Sequence, residues 1–217
     1  MAKRTKYDAS IAFLQQAGPG KTIAVYRDKE VLYSQHSPGD AIFYLQSGLV
    51  KLTMAMRARR KKAVVSVLQA GDIFGECSLG AQGRRVTTAT SIGTSTITRL
   101  ERATFRRKIN QDTAFAEMFI GYLISQAARY KADLADHFLN SCEKRLARLL
   151  LMHGSLVQKS GSGYSTLRFS QSALAEMVGT TRARVNGFMN EFREKGYIRY
   201  NGGLEIDAPT LTAFLQE

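Results

Sequence analysis

The chain has 217 residues, a formal net charge of +13, 44% hydrophobic residues and two cysteines. That length suits one large or two modest domains, and that apolar content supports a sizeable core. No run of about 18 apolar residues occurs, which excludes a membrane-spanning helix, and two cysteines are too few for a disulfide framework or an iron–sulfur cluster.

The opening MAKRTKYDAS carries basic residues but no apolar stretch after them, so it does not read as a secretory signal. Cys77 and Cys142 form no CxxC pair, and a reducing cytoplasm is the expected setting. The basic excess favours polyanionic partners, nucleic acid first. It is unevenly placed: residues 1–139 hold 21 Lys and Arg against 11 Asp and Glu, while residues 140–217 hold 10 against 7. Net charge therefore does not locate a binding site.

Residues 22–109 read as strands. Ile23, Val25, Val31, Leu32 and Tyr33 are β-formers, and His36 to Asp40, with Pro38-Gly39, is a turn. Ala41–Tyr44 and Leu49–Met56 read as two strands split by Ser47-Gly48. Ala63–Leu68 follows and ends at Ala70-Gly71-Asp72, and Val86–Ala89 and Ser95–Leu100 complete the set. Short strands about ten residues apart suggest an antiparallel sandwich or roll. The basic run Arg57–Lys62 reads as a solvated hairpin tip, with a contact to DNA flanks as the alternative.

From Asp112 to His137 the pattern turns helical. Phe119, Leu123, Ala127, Tyr130, Leu134 and Phe138 step by three or four residues along a helix of roughly 39 Å. This stripe either packs on the chain's own sheet or forms a coiled-coil seam with a second copy, and the expectation is both in turn. Asn140–Gly154 is a further helix, and Lys159–Tyr164, rich in glycine and serine, is a link.

Phe169–Ile198 reads as two short helices around a tight turn. Ser170 is an N-cap type, and Leu174, Met177 and Val178 share one face. Gly179 suits the position after the first helix because glycine adopts positive φ cheaply. Thr180 or Thr181 can cap a second helix carrying Val185, Phe188, Met189 and Phe192, which ends at Gly196. This is the layout of a helix-turn-helix, whose second helix enters the major groove. Two amphipathic helices around a glycine also occur in ordinary helical cores. Arg182, Arg184 and Asn186 are the candidates for base contacts, since arginine forks onto guanine and asparagine pairs with an adenine edge. Ser170, Gln171, Thr180, Thr181 and Arg199 are the candidates for backbone contacts. Tyr197 to Tyr200, Asn201-Gly202-Gly203, then Leu204 to Ile206 reads as a hairpin, the wing of a winged helix.

Strands, a long helix, then a winged helix: this order resembles the Crp/Fnr superfamily of bacterial transcription regulators. Pro38-Gly39-Asp40 with Phe43 and Gly48-Leu49-Val50-Lys51 look like its opening strands. Gly71-Asp72-Ile73-Phe74-Gly75-Glu76 resembles its ligand-pocket signature, Arg145-Leu146-Ala147 the start of its DNA domain, and Leu174-Ala175 through Arg182 with Val185 its helix-turn-helix. The likeness covers residues 20–210. It implies an α+β chain with a jelly-roll-like antiparallel β-roll sensor over 1–110, a dimerisation helix over 111–139 and a winged helix-turn-helix over 140–217. It also implies a homodimer on a palindromic duplex, and RNA polymerase as a partner.

In cyclic-nucleotide-binding members a glutamate after glycine holds the ribose, and an arginine followed by a hydroxyl residue holds the phosphate. The matching residues are Gly75, Glu76, Cys77, Arg84, Arg85 and Thr87, but Val86 stands where the hydroxyl belongs. Thr87 can share the Arg85 face, because alternate residues of a strand point the same way. Arg129-Tyr130-Lys131 replaces the hydroxyl residues that meet adenine on the long helix. These departures point to an effector other than cyclic AMP, or to none with a vestigial pocket; a cyclic nucleotide is the lesser alternative for the pocket, and a ligand-sensing module without DNA binding the alternative for the whole chain. The alternative role for Glu76 and Arg85 is an internal ion pair bracing the roll. Cys77 as a haem ligand is the weaker alternative to a small buried side chain, and His36, His137 and His153 are scattered. In the recognition helix Ala183 and Gly187 replace the family's usual glutamate and arginine, so the target sequence should differ from that of familiar members. No HExxH, GxSxG, Walker loop or Cys/His cluster is present, so an enzyme is not expected.

Overall fold

The computed structural model describes residues 7–56, 61–80, 82–157, 170–200 and 204–216. Residues 57–60 of the basic run Arg57–Lys62, the link at 159–164 and the turn at 201–203 lie outside the described residues, while Lys61 and Lys62 belong to a strand and not to the hairpin tip. The chain forms two compact units, Met1–Arg129 and Tyr130–Glu217, which divide inside the long helix. Among the described residues no helix is long and apolar enough to cross a membrane.

The first unit opens with helix α1 (Asp8–Gln15) and continues through strands β1 (Lys21–Tyr26), β2 (Val31–Tyr33), β3 (Ala41–Met56), β4 (Lys61–Gln69) and β5 (Ile73–Phe74). A 3₁₀ turn at Glu76–Leu79 precedes β6 (Thr88–Glu101), and helices α2 (Arg102–Gln111) and α3 (Thr113–Leu139) follow. The strands form one antiparallel sheet in the order β1-β6-β3-β4, with β2 on β6 and β5 on β3. Strand β3 is its spine, running against β6 from Ala41↔Glu101 to Thr53↔Thr88.

Strand alternation divides β3 between two cores. Ala41, Phe43 and Leu45 join Val50, Leu52, Leu68, Phe74, Ala89 and Ile97 inside the roll. Ile42 and Tyr44 face the other way, into a second cluster with Leu14, Ile73, Leu100, Phe105, Phe115 and Phe119. The helices thus cover the outer face of the roll, and Phe119 stacks edge-on against Phe105 at 4.9 Å between centroids. Phe119 is 5% exposed and belongs to its own unit's core, which removes it from the expected dimer seam.

Several boundaries differ from the sequence reading. Ser47-Gly48 does not end a strand; β3 runs through it with register shifts. Gly48 has φ 88°, and a Cβ there would lie 2.4 Å from the Thr94 carbonyl oxygen. Glycine is therefore a close-approach bulge, not a break. Ser95 holds it, accepting from the Leu49 amide and donating to the Leu49 carbonyl. Strand β6 also runs unbroken, through Gly93 at φ 66°, while Val86 and Thr87 precede the strand. Residues 102–109 are helix, with Phe105 buried on one side and charge on the others. Cys77, expected as a small buried side chain, is exposed.

The second unit holds the end of α3, then α4 (Cys142–Val157), α5 (Gln171–Val178), α6 (Arg182–Glu194), strands β7 (Ile198–Tyr200) and β8 (Leu204–Ile206), and α7 (Ala208–Gln216). Its core joins Leu146, Leu150, Leu174, Val178, Val185, Met189, Phe192, Ile198 and Leu211. Helix α7 went unread in the sequence. Asp207 starts it, accepting from the Thr210 amide at 3.2 Å, and Pro209 sits in its first turn, where proline is tolerated.

Candidate nucleic-acid interface and effector site

The α5–α6 pair is built by local chemistry. Ser170 Oγ accepts from the Ala173 amide at 3.1 Å and starts α5. Gly179 ends it at φ 73°, the left-handed region. Thr181 Oγ1 accepts from the Arg184 amide at 3.3 Å and starts α6. Val185, Met189 and Phe192 turn one side of α6 into the core. That orientation leaves Arg182, Ala183, Arg184, Asn186 and Gly187 exposed. The guanidinium of Arg184 lies 5.7 Å from the ring centroid of Phe188, whereas Asn186 accepts from Gln171 Nε2 at 2.9 Å. Arg199 on β7 is exposed, Thr180 and Gln171 are half-buried, and Ser170 and Thr181 are exposed.

Arg145, named above only for its family likeness, braces this arrangement. It donates to the Val178 carbonyl from Nε (3.2 Å) and Nη2 (3.0 Å), and to the carbonyls of His137 and Asn140 from Nη1. One cation thus satisfies the last carbonyls of α3 and of α5, which have no partner within their own helices. Nothing local in the sequence signals a bond from residue 145 to residue 178.

In the first unit, Arg85 is 2% exposed, Thr87 is also buried, and Val86 between them points outward. The Arg85 guanidinium braces the fold through its two terminal nitrogens, while its buried Nε meets no partner among the described residues. Nη1 donates to the Gly75 carbonyl (3.1 Å), Nη2 donates to the Ala41 carbonyl (2.6 Å), and Asp40 lies 3.5 Å away. Its carbon sits 4.4 Å from the Tyr33 ring centroid and 5.2 Å from that of Phe43. A Cβ at Gly75 would meet Nη1 at 2.4 Å, so glycine is needed for this approach. Burial lowers the Arg85 pKa, against the pull of Tyr33 and Asp40, and burial pushes the Tyr33 phenol up to about 12.

Glu76 and Arg85 form no ion pair; the carboxylate that meets Arg85 is Asp40, which also binds Arg99. Burial raises the Glu76 carboxyl above its usual range, and its near neighbour is the Cys77 thiol at 3.6 Å. Partial desolvation of the sulfur, together with that carboxylate, pushes the Cys77 thiol up to about 11, although the residue as a whole is exposed. Arg84 is exposed and donates to the His36 carbonyl at 2.9 Å.

Residues 23–112 match the cyclic nucleotide-binding domain family, and residues 144–213 match the Crp-like helix-turn-helix domain family. The chain belongs to the Crp/Fnr family. Like that family it is a DNA-binding transcription regulator. It is 27% identical over 173 residues to the CRP-like cAMP-activated global transcriptional regulator of Mycobacterium tuberculosis, covering 79% of this chain and 77% of the relative. FixK2 from Bradyrhizobium japonicum shares the fold with a TM-score of 0.76 at 15% identity, over 89% of this chain and 96% of that one. A CRP/FNR-family transcriptional regulator of Thermus thermophilus shares it at 0.72 and 19% identity, over 90% and 99%.

In this Crp/Fnr chain α3 carries a second apolar row. Ile120, Ile124, Leu134 and Phe138 are 57%, 66%, 56% and 77% exposed, with Leu123 and Tyr130 beside them. With Ala127 and Lys131 these positions step by four and three, the spacing of a coiled-coil seam. Ile120 and Ile124 went unread because Phe119 and Leu123 give a similar period one position earlier. Near its middle α3 also grips the turn before β5. Buried Asp72 accepts from Gln126 at 3.2 Å and lies 3.5 Å from Arg129.

Proposed function

We propose that this regulator is a homodimer that sets the opening turn of α6 in the major groove of each half of a palindromic site. The single observation that carries this is the exposure of Arg182, Arg184 and Asn186 on a helix whose opposite side is fully used in packing. Arg182 and Asn186 read bases. Arg184, drawn toward Phe188, meets a base or a phosphate, and Ser170, Gln171, Thr180, Thr181 and Arg199 position the backbone. Ile120, Ile124, Ala127, Leu134 and Phe138 form the seam between copies, flanked by Leu123 and Tyr130. Two-fold symmetry then matches half-sites about one helical turn apart. Residues 1–110 act as the sensor, 111–139 as the dimer helix and 140–217 as the DNA-binding part. The work is done on chromosomal DNA in the cytoplasm, with RNA polymerase as the further partner the family implies and no catalysis.

For the effector we favour a ligand other than cyclic AMP, or none. The M. tuberculosis relative is described as cAMP-activated, but here Arg85 already binds two backbone carbonyls and Val86 offers no hydroxyl. A cyclic phosphate would have to share a guanidinium whose two terminal nitrogens already bind the fold. The roll around Gly75, Glu76, Cys77, Arg84, Arg85 and Thr87 therefore takes another ligand or acts as a fixed frame.

A gel shift with a duplex selected from a random pool, at two salt concentrations and with competitor DNA, tests the main reading. Specific binding weakens with salt through counterion release, yet outlasts competitor. Binding that competitor removes at every salt concentration overturns it.

A further inference from the structure

We propose that Gln171 is a positioning residue for base reading: it holds Asn186 in the attitude that recognises one base pair. The proposal rests on the duplex-binding reading above. A backbone contact is all that its place at the start of α5 suggests in the sequence. The structure instead gives it a side-chain partner on the neighbouring helix, with Nε2 donating to Asn186 Oδ1 at 2.9 Å.

Both ends of that bond are fixed by packing. Ser170 caps α5 and holds Gln171 in its first turn. Thr181 caps α6, and Leu174 and Val178 meet Val185 and Met189 in one core. The pair therefore spans two helices that do not slide. Beside Asn186 the surface of α6 is low between Arg182 one turn before it and Asn190 one turn after it. Ala183 and Gly187 reach no further than a methyl group, nothing lies within 4 Å of a Cβ built at Gly187, and Arg184 is turned toward Phe188. A lone exposed asparagine would lose rotamer freedom on meeting a base. Gln171 removes that freedom beforehand.

In the arrangement seen, the bond engages the oxygen of the Asn186 amide. It uses one lone pair of Oδ1 and leaves the other, beside an Nδ2 that carries two donor hydrogens. One acceptor next to one donor is the pattern that adenine takes through N6 and N7. Gln171 thus contributes to sequence choice without touching a base.

The test compares the unaltered full chain with Gln171→Ala, Gln171→Met, Asn186→Ala and the Gln171→Ala/Asn186→Ala pair. Each is used to select from a random duplex pool and then titrated against single-base variants of the selected site. All four changes lie at the surface, and circular dichroism checks that each variant is folded. The expected result is that both Gln171 variants lose preference for adenine at the same base pair that Asn186→Ala affects. The loss is on the order of tenfold in relative affinity, and the double change adds nothing to Asn186→Ala. Gln171 variants that weaken all sequences equally, with the base profile unchanged while Asn186→Ala alters it, overturn the pairing and leave duplex reading intact. An unaltered chain that selects no sequence overturns both.

Discussion

The phenol of Tyr122 and the peptide of Ile73 bind each other twice: the hydroxyl donates to the Ile73 carbonyl at 2.6 Å and accepts from the Ile73 amide at 2.9 Å. Gln126 donates to the same oxygen at 2.7 Å. A side chain of α3 thereby completes the backbone of the turn that leads from β4 through Asp72 to Glu76. Burial, with the Asp72 charge behind it, raises the Tyr122 pKa, so the phenol stays neutral and keeps its proton for this bond.

Tyr122→Phe removes the donor for one buried carbonyl and the acceptor for two N–H groups. Leaving such groups unmet costs about 1–3 kcal/mol. Urea denaturation of the variant should show a loss of that size with an unchanged m-value. A change within about 0.5 kcal/mol, the range of ordinary surface substitutions, would mean that water replaces the phenol at no cost.

Arg85→Ala should destabilise the first unit more strongly, because it strands the Gly75 and Ala41 carbonyls and empties the space over Tyr33 and Phe43. The expected cost is about 2–5 kcal/mol, from buried polar groups together with lost volume. In parallel, thermal melts of the unaltered chain should not move when cyclic AMP or cyclic GMP is added. A ligand at a hundred times its Kd would stabilise the native state by roughly 2.7 kcal/mol, so a clear rise in Tm would show that the chain binds a cyclic nucleotide after all.

Glu76 makes stability depend on pH in one direction. Its carboxyl titrates higher in the folded chain than its ordinary 4.5 because burial penalises the charge. The folded state therefore binds the proton more tightly than the unfolded state. That contribution is fully present below pH 4.5 and is lost as pH rises through the folded value. Glu76→Gln should flatten this slope: near-equal stability at low pH, and a more stable variant at pH 7. Denaturation midpoints across that range would show it, and a variant less stable at pH 7 would place a stabilising cation on Glu76.

How far the sequence carried these conclusions depends on distance along the chain. The helix-turn-helix was legible because Ser170, Gly179 and Thr181 act on neighbours within three or four residues. Glycine punctuation misled at Gly48, since the same freedom that ends a strand also lets one bulge against its partner. The apolar stripe of the long helix was visible, but two stripes lie side by side. Periodicity alone does not say that Phe119 enters its own core while Ile120 and Ile124 stay exposed. Arg85 was found as a candidate, yet its acceptors at Ala41 and Gly75 are main-chain atoms that no motif displays.

The exposed row on α3 gives its own test. Ile124→Glu and Leu134→Asp each set a charge on the seam without touching either unit's core. Sedimentation should show the unaltered chain at twice the mass of both variants. Equal masses for all three would remove α3 as the dimer contact.

The most direct measurement is the affinity of the unaltered chain and of Arg182→Ala for a selected duplex and for each of its single-base variants, at two salt concentrations. The expected result is a loss of about 1–3 kcal/mol confined to one base pair per half-site, where Arg182→Ala no longer distinguishes guanine. A loss spread evenly over every duplex, with the base profile unaltered, would contradict the claim that α6 reads sequence through this residue.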